Sequence, residues 1–265
     1  ACGLDPNKTL FYRQSDVPET FELLTILMAF TAKGLMNRAH AYKAIVQNNL
    51  ENGKDPDDGV NMGLYTYPIL MAADILLFDT DFVPVGTDQF QHIEMAQDIA
   101  QSFNYVYKTQ ALKIPQPIAQ EETKTVVGLD GRKMSKSYNN TIPMFCPEKE
   151  LKKLIMSIVT NSQTVEEPKD PDTSNIFALY KNFASPEQIE NMHTRYLKGG
   201  LGWGQAKLEL FEVINAELTP LRERYNYWIN NQDDIWNALK AGSEKARILA
   251  AEKITKLRKI IGIGK

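Results

Sequence analysis

The stretch Phe82-Val83-Pro84-Val85-Gly86-Thr87-Asp88-Gln89 restricts the fold more than any other part of this chain. Residues 82–86 read as a short buried strand ending at Gly86, and the apolar spacing that follows predicts a helix from about Asp88 to Phe103. A strand running straight into a helix is one arm of a β-α-β unit, and such units build parallel sheets. Upstream, residues 65–77 are apolar at helical spacing, and a further helix is expected over 37–50. Ser15-Asp16-Val17-Pro18-Glu19 has the polar caps and early proline of a helix start, with Phe21, Leu24, Leu27 and Met28 as its apolar stripe. Residues 53–59 form a polar loop. The expected class is therefore α/β with a parallel sheet.

Thr9-Leu10-Phe11-Tyr12 has a buried-strand pattern, and Gly3 followed by Asp5-Pro6 reads as a helix exit and turn. A fold that starts at a helix exit is expected to have been cut upstream, leaving its sheet incomplete. Beyond Ser137 the strand signal fades. Helical stretches are expected at 151–159, 176–183, 186–196, 205–217, 221–230 and 243–261, which predicts an all-helical second half. The expected division is 1–146 and 147–265.

With 265 residues and 43% apolar composition, the chain has enough material for one or two buried cores. Its formal net charge of -3 excludes a wholly basic nucleic-acid binder but not a local basic face. Cys2 and Cys146 lie far apart without CxxC spacing, which argues against a zinc site or disulfide framework and fits a reducing cytosol. No apolar run is long enough to span a membrane, so a cytoplasmic location is expected.

Three strings carry chemistry. Lys133-Met134-Ser135-Lys136-Ser137 places two ammonium groups three residues apart among hydroxyls, following a loop that contains Gly128 and Gly131. Such a loop can grip a polyphosphate as charge builds on a leaving group. A generic KxxK would be a solvated basic loop. Tyr67, Met71 and Asp74 recur at i, i+4 and i+7, on one face of a helix. A phenol, a thioether and a carboxylate on an apolar stripe make a pocket wall, and an indole N–H suits the carboxylate. The plainer alternative is core packing for Tyr67 and Met71, with Asp74 capping a neighbour. At the strand-to-helix turn, Gly86 permits close approach of a nucleotide, and Asp88 and Gln89 suit ribose hydroxyls or an ammonium. His92 either braces this turn or is a satisfied structural histidine.

These strings stand in the order found in the tryptophan and tyrosine branch of the class I aminoacyl-tRNA synthetases, and the chain resembles that family over nearly its whole length. Leu10-Phe11 through Pro18, Ser174-Asn175-Ile176, Leu221-Arg222-Glu223-Arg224-Tyr225 and Gly242-Ser243-Glu244-Lys245-Ala246 extend the likeness. The resemblance implies a Rossmann-type catalytic domain over 1–146, a helical anticodon-reading domain over 147–265, and a homodimer. It implies activation of the amino acid by ATP with Mg²⁺ and transfer to tRNA. Met71, where tyrosine enzymes usually carry Gln, points to tryptophan and tRNA(Trp). On that likeness Asp74 takes the indole nitrogen, Met71 the ring, and Tyr67 and Gln89 the ammonium, with Val83 and Val85 also lining the tryptophan site. Gly86 and Asp88 take the ribose of ATP, while Lys133, Met134 and Lys136 cover the nucleotide beside Ser135. Lys43 is a further phosphate candidate, in a region where Ile45 replaces a lysine of some relatives. The family's HIGH-like motif occurs nowhere here, which agrees with the upstream cut and makes the fragment alone an expected non-catalyst. The alternatives are a tyrosine enzyme or a non-catalytic paralogue that binds RNA or partners.

From Ser243 onward Lys245, Arg247, Lys253, Lys256, Arg258 and Lys259 outnumber Glu244 and Glu252. This is either a phosphate-binding face or a solvated helix surface. Trp228 and Trp236 are expected to anchor a core or interface.

Overall fold

The computed structural model describes residues 1–119 and 126–263. Packing divides the chain into two compact units, Pro6–Glu122 with Trp236–Lys265, and Ala1–Asp5 with Thr123–Ile235. In this division the last helix is grouped with the earlier unit.

In the unit built on Pro6–Glu122, helix α1 (Glu19–Met28) begins at Pro18, whose φ of -60° already suits a helix, and buries Leu23 and Leu27. Helices α2 (Lys33–Met36) and α3 (His40–Glu51) follow. Helix α4 (Met62–Leu76) is capped by Asn61, whose side chain accepts from the Leu64 N–H at 2.9 Å. It runs through a buried Pro68. Strand β1 (Phe82–Val85) leads through a 3-10 turn at Thr87–Gln89 into α5 (Phe90–Tyr107). Strand β2 (Gln116–Ala119) then pairs parallel to β1, with Val83 opposite Pro117 and Val85 opposite Ala119. This is the expected β-α-β unit. The return to β2 is braced by Asn104, a buried amide that donates to the Leu112 carbonyl at 2.7 Å and accepts from its N–H at 3.0 Å.

Among the described residues the sheet has these two strands only. Residues 9–12 form no strand, contrary to their apolar pattern: Leu10 is 38% and Phe11 57% exposed. The Phe11 carbonyl instead lies where a Cβ on Gly242 would come within 1.9 Å. β1 is less buried than its composition suggests, with Phe82 60% exposed.

The other unit is helical. Helices α6 (Glu148–Met156), α7 (Asn175–Tyr180), α8 (Pro186–Lys198) and α9 (Trp203–Asn230) enclose Leu151, Ile155, Ile176, Tyr196, Leu210 and Ile214. A capping box between Ser185 and Gln188 starts α8, and Arg195 on it pairs both its terminal nitrogens with Glu209 on α9, each at 2.8 Å. The stretches 205–217 and 221–230 are one helix, because α9 continues through Pro220. Next to that proline Thr219 donates to the Asn215 carbonyl at 2.6 Å, and Arg222 donates to the Asn215 side chain at 3.1 Å.

Helix α10 (Gln232–Ile261) starts well before Ser243 and returns to the earlier unit, burying Ala246, Ala250, Ile254 and Leu257 in its core. Three of its basic residues tie it down. Arg247 reaches Glu19 at 3.3 Å, Arg258 reaches Glu22 at 2.5 and 2.6 Å, and buried Lys253 bonds Asp79 and, at 2.5 Å, the Ala111 carbonyl. The basic run is therefore partly a fastening, which leaves Lys245, Lys256 and Lys259 exposed. Trp236 is 53% exposed beneath the Arg13 guanidinium, so it is not a core anchor. No described helix is long and apolar enough to cross a membrane.

Candidate active site

Tyr67, Met71 and Asp74 all lie on α4. Met71 is half-buried against the core, as are Val83 and Val85 on β1. Asp74 is also half-buried, and both of its oxygens accept from the amide nitrogen of Gln14, at 2.9 and 2.8 Å. Gln14 opens the 3-10 turn Gln14–Asp16, which precedes the fully buried Val17. Burial lifts the Asp74 carboxyl above its ordinary pKa, and the Gln14 bond opposes the rise. Tyr12 is close enough for the Asp74 charge to add to the burial that raises its phenol. Sequence reasoning missed Gln14 and Tyr12, because nothing in their spacing links them to α4.

Tyr67, one turn before Met71, meets α5. Its hydroxyl lies 3.2 Å from Nε2 of His92, and the two rings stand nearly edge-on with centroids 5.3 Å apart. Three residues before His92, the turn at the end of β1 is closed by the Gln89 N–H donating to the Gly86 carbonyl at 2.9 Å. The Asp88 carboxylate folds back over Gly86, where a Cβ would meet its Oδ1 at 2.7 Å and push that carboxylate aside. Gln89 Nε2 donates to the other Asp88 oxygen at 2.9 Å. Gln91 donates to the Arg38 carbonyl at 2.9 Å and accepts from the His40 N–H at 2.8 Å, which fixes the start of α5 against the α2–α3 corner. Lys43 is exposed on α3.

Lys133, Met134, Ser135 and Lys136 lie in the other unit. Residues 126–134 double back on themselves: Val127 bridges Lys133 antiparallel, Gly128 donates to the Arg132 carbonyl at 2.7 Å, and Met134 donates to the Val126 carbonyl at 2.8 Å. Asn140, 2% exposed, holds this loop. Its amide nitrogen donates to Asp130 at 2.7 Å and to the Lys133 carbonyl at 3.1 Å, while its oxygen accepts from the Ser135 N–H at 2.8 Å. A Cβ on Gly128 would come within 2.2 Å of that amide, so this glycine admits Asn140 rather than loosening the loop. The Asn140 bond, helped by Arg132, holds the Asp130 carboxyl down at about 2. Ser135 Oγ lies 2.8 Å from Ser137 Oγ and caps the turn Lys136–Tyr138. Met134 is half-buried against the helical core, whereas Lys133 and Lys136 are exposed and point two cations into solvent. The signal for Asn140 was present only as a polar residue after the loop. No group of three or more His, Cys, Asp or Glu residues could hold a metal ion among the described residues.

The family model for class I tRNA synthetases (W and Y) matches residues 1–219. The tryptophan–tRNA ligase of Pseudomonas aeruginosa is 52% identical over 99% of this chain, which spans 59% of that relative's length. The tryptophan–tRNA ligase of Neisseria meningitidis serogroup A is 53% identical over 99% of this chain and 78% of the relative. A crystal structure of the tryptophanyl-tRNA synthetase of Campylobacter jejuni, complexed with ADP and tryptophan, is 45% identical with a TM-score of 0.86. That match covers 98% of this chain and 79% of the other.

Proposed function

The chain belongs to the class I tRNA synthetases for tryptophan and tyrosine, and on that premise we propose that it is the pocket-bearing and loop-bearing part of a tryptophan–tRNA ligase. The observation that carries this reading is Asp74, a half-buried carboxylate on an apolar wall that already takes an N–H from Gln14 on each oxygen. A ring N–H satisfies such a group, and Met71 one turn away offers a soft surface to an indole. A phenol would meet a thioether where it needs a polar partner, so tyrosine fits less well.

Tyr67 and Gln89 take the substrate ammonium, with Val83 and Val85 beside the ring. Gly86 and Asp88 receive the ribose of ATP. Lys133 and Lys136 neutralise the phosphates, aided by the Ser135 hydroxyl and covered by Met134, and Lys43 is a further phosphate contact. The substrate carboxylate attacks the α-phosphorus, the bond to the β-phosphate oxygen breaks, and pyrophosphate leaves as the lysines stabilise its charge. The terminal adenosine hydroxyl of tRNA(Trp) then attacks the acyl carbon and AMP departs. Orientation and electrostatics supply the rate, without a protein nucleophile. Mg²⁺, if bound with the nucleotide, would add charge neutralisation beside Lys133 and Lys136. Residues 1–146 serve catalysis and the helical region beyond reads the anticodon, in a cytoplasmic homodimer. Charging of tRNA(Trp) with labelled tryptophan by the native polypeptide carrying this chain tests the proposal. Charging of tRNA(Tyr) with tyrosine, or of neither, overturns it.

A further inference from the structure

His92 has no part in the assignments above, yet it touches one of their residues. It is 6% exposed, and its Nδ1 is buried with no hydrogen-bond partner among the described residues. Packing alone would be served better by an aliphatic side chain at this position, so an idle buried nitrogen calls for a reason. Burial pushes the imidazole below its ordinary pKa. The His40 charge acts in the same direction, and Asp88 opposes them. The ring is therefore neutral at neutral pH, with one N–H and one bare nitrogen.

Two arrangements of that proton are distinct. With the proton on Nε2, His92 donates to Tyr67 and the phenol O–H is left to point outward as a donor. With the proton on Nδ1, the phenol donates to Nε2, and the Tyr67 oxygen offers only lone pairs to the space beside it. Gln89, one turn before His92, spends one amide N–H on Asp88 and keeps Oε1 as an acceptor. Two neighbouring acceptor oxygens suit a ligand with donors only, and an ammonium has three donors and no acceptor.

We propose that His92 is the positioning residue that turns Tyr67 into a hydrogen-bond acceptor for the ammonium group of the amino-acid substrate, an inference that rests on the tryptophan assignment of this pocket. The idle Nδ1–H is the cost of holding that tautomer. His92 itself touches no substrate atom.

The test compares ligands that carry or lack the ammonium. Tryptophan, tryptamine and indole-3-propionate are titrated against the native polypeptide, against His92→Leu, and against His92→Gln, whose amide oxygen can accept the phenol proton. His92→Leu weakens tryptophan and tryptamine about tenfold, the worth of one charge-assisted bond, and leaves indole-3-propionate unchanged; His92→Gln restores most of the loss. In the native protein the ¹⁵N spectrum of His92 shows a protonated Nδ1 and a bare Nε2. Equal weakening of all three ligands, no weakening of any, or a protonated Nε2 overturns the inference. If the native protein binds none of the three, the tryptophan assignment fails first and takes this inference with it.

Discussion

Gln14 donates through one amide nitrogen to both oxygens of Asp74, at 2.9 and 2.8 Å, across 60 residues of sequence. The bond keeps a half-buried carboxylate satisfied on a wall that is otherwise apolar. It also marks where a second N–H donor would dock, since a carboxylate has lone pairs left over after one amide.

Replacing Gln14 with Leu leaves that carboxylate with a buried, unmet acceptor, at a cost of about 1–3 kcal/mol of stability. Burial already raises the Asp74 pKa, and loss of the opposing Gln14 bond raises it further. A group whose folded pKa is raised favours the fold below that value and stops doing so as pH rises through it. Gln14→Leu therefore unfolds at lower urea than the parent protein at neutral pH, and the gap narrows as acid protonates Asp74. A constant gap across that range would place the defect elsewhere.

Lys136→Ala, and separately Lys133→Ala, slow adenylate formation by roughly 3–4 kcal/mol of transition-state stabilisation, the worth of a lost donor at a developing charge. Both lysines are exposed, so the unfolding free energy stays within about 0.5 kcal/mol of the parent. Single-turnover adenylation checks the rate, and an unchanged rate removes the loop from the chemistry.

Asn140→Ala releases Asp130. The carboxyl, held at about 2 chiefly by the Asn140 bond and then by Arg132, moves back towards 3.8. Its folded pKa is depressed, so its contribution to loop order is present above 3.8 and fades as pH falls towards about 2. A ¹³C titration of the Asp130 carboxyl reads the shift directly, and faster amide exchange at Ser135 accompanies it. A midpoint that stays at about 2 would assign the depression to Arg132 alone.

Much of this could be read from the chain. The strand-turn-helix at 82–103, the helix carrying Tyr67, Met71 and Asp74, and the lysine-bearing loop are local patterns, and each is formed as its residues dictate. What could not be read was set by distant contacts. Gln14 and Asn140 are ordinary polar residues until folding brings an acceptor to them. Pro220 breaks a local rule, but a stripe of Leu210, Ile214 and Leu218 before it and side chains at Asn215 and Arg222 around it keep α9 whole. Residues 9–12 look like a strand by composition, yet a strand needs a partner, and these lie instead against Gly242 on α10. The basic run after Ser243 reads as a phosphate-binding face or a solvated surface, while three of its members are committed to Glu19, Glu22 and Asp79.

Those three ties differ in worth. Lys253→Met removes a buried ammonium from Asp79 and from the Ala111 carbonyl, at a cost of about 1.5–3 kcal/mol. Arg258→Ala breaks a largely solvated, salt-screened pair with Glu22 and costs much less. Urea midpoints of the two variants separate them. Equal losses would mean that burial of Lys253 adds nothing.

The central claim is tested most directly by pyrophosphate exchange into ATP, run with tryptophan or with tyrosine on the native polypeptide that carries this chain. Exchange driven by tryptophan alone, and abolished by Asp74→Ala, is the predicted result. Exchange driven by tyrosine, or by neither amino acid, would contradict the reading of the Asp74 and Met71 wall.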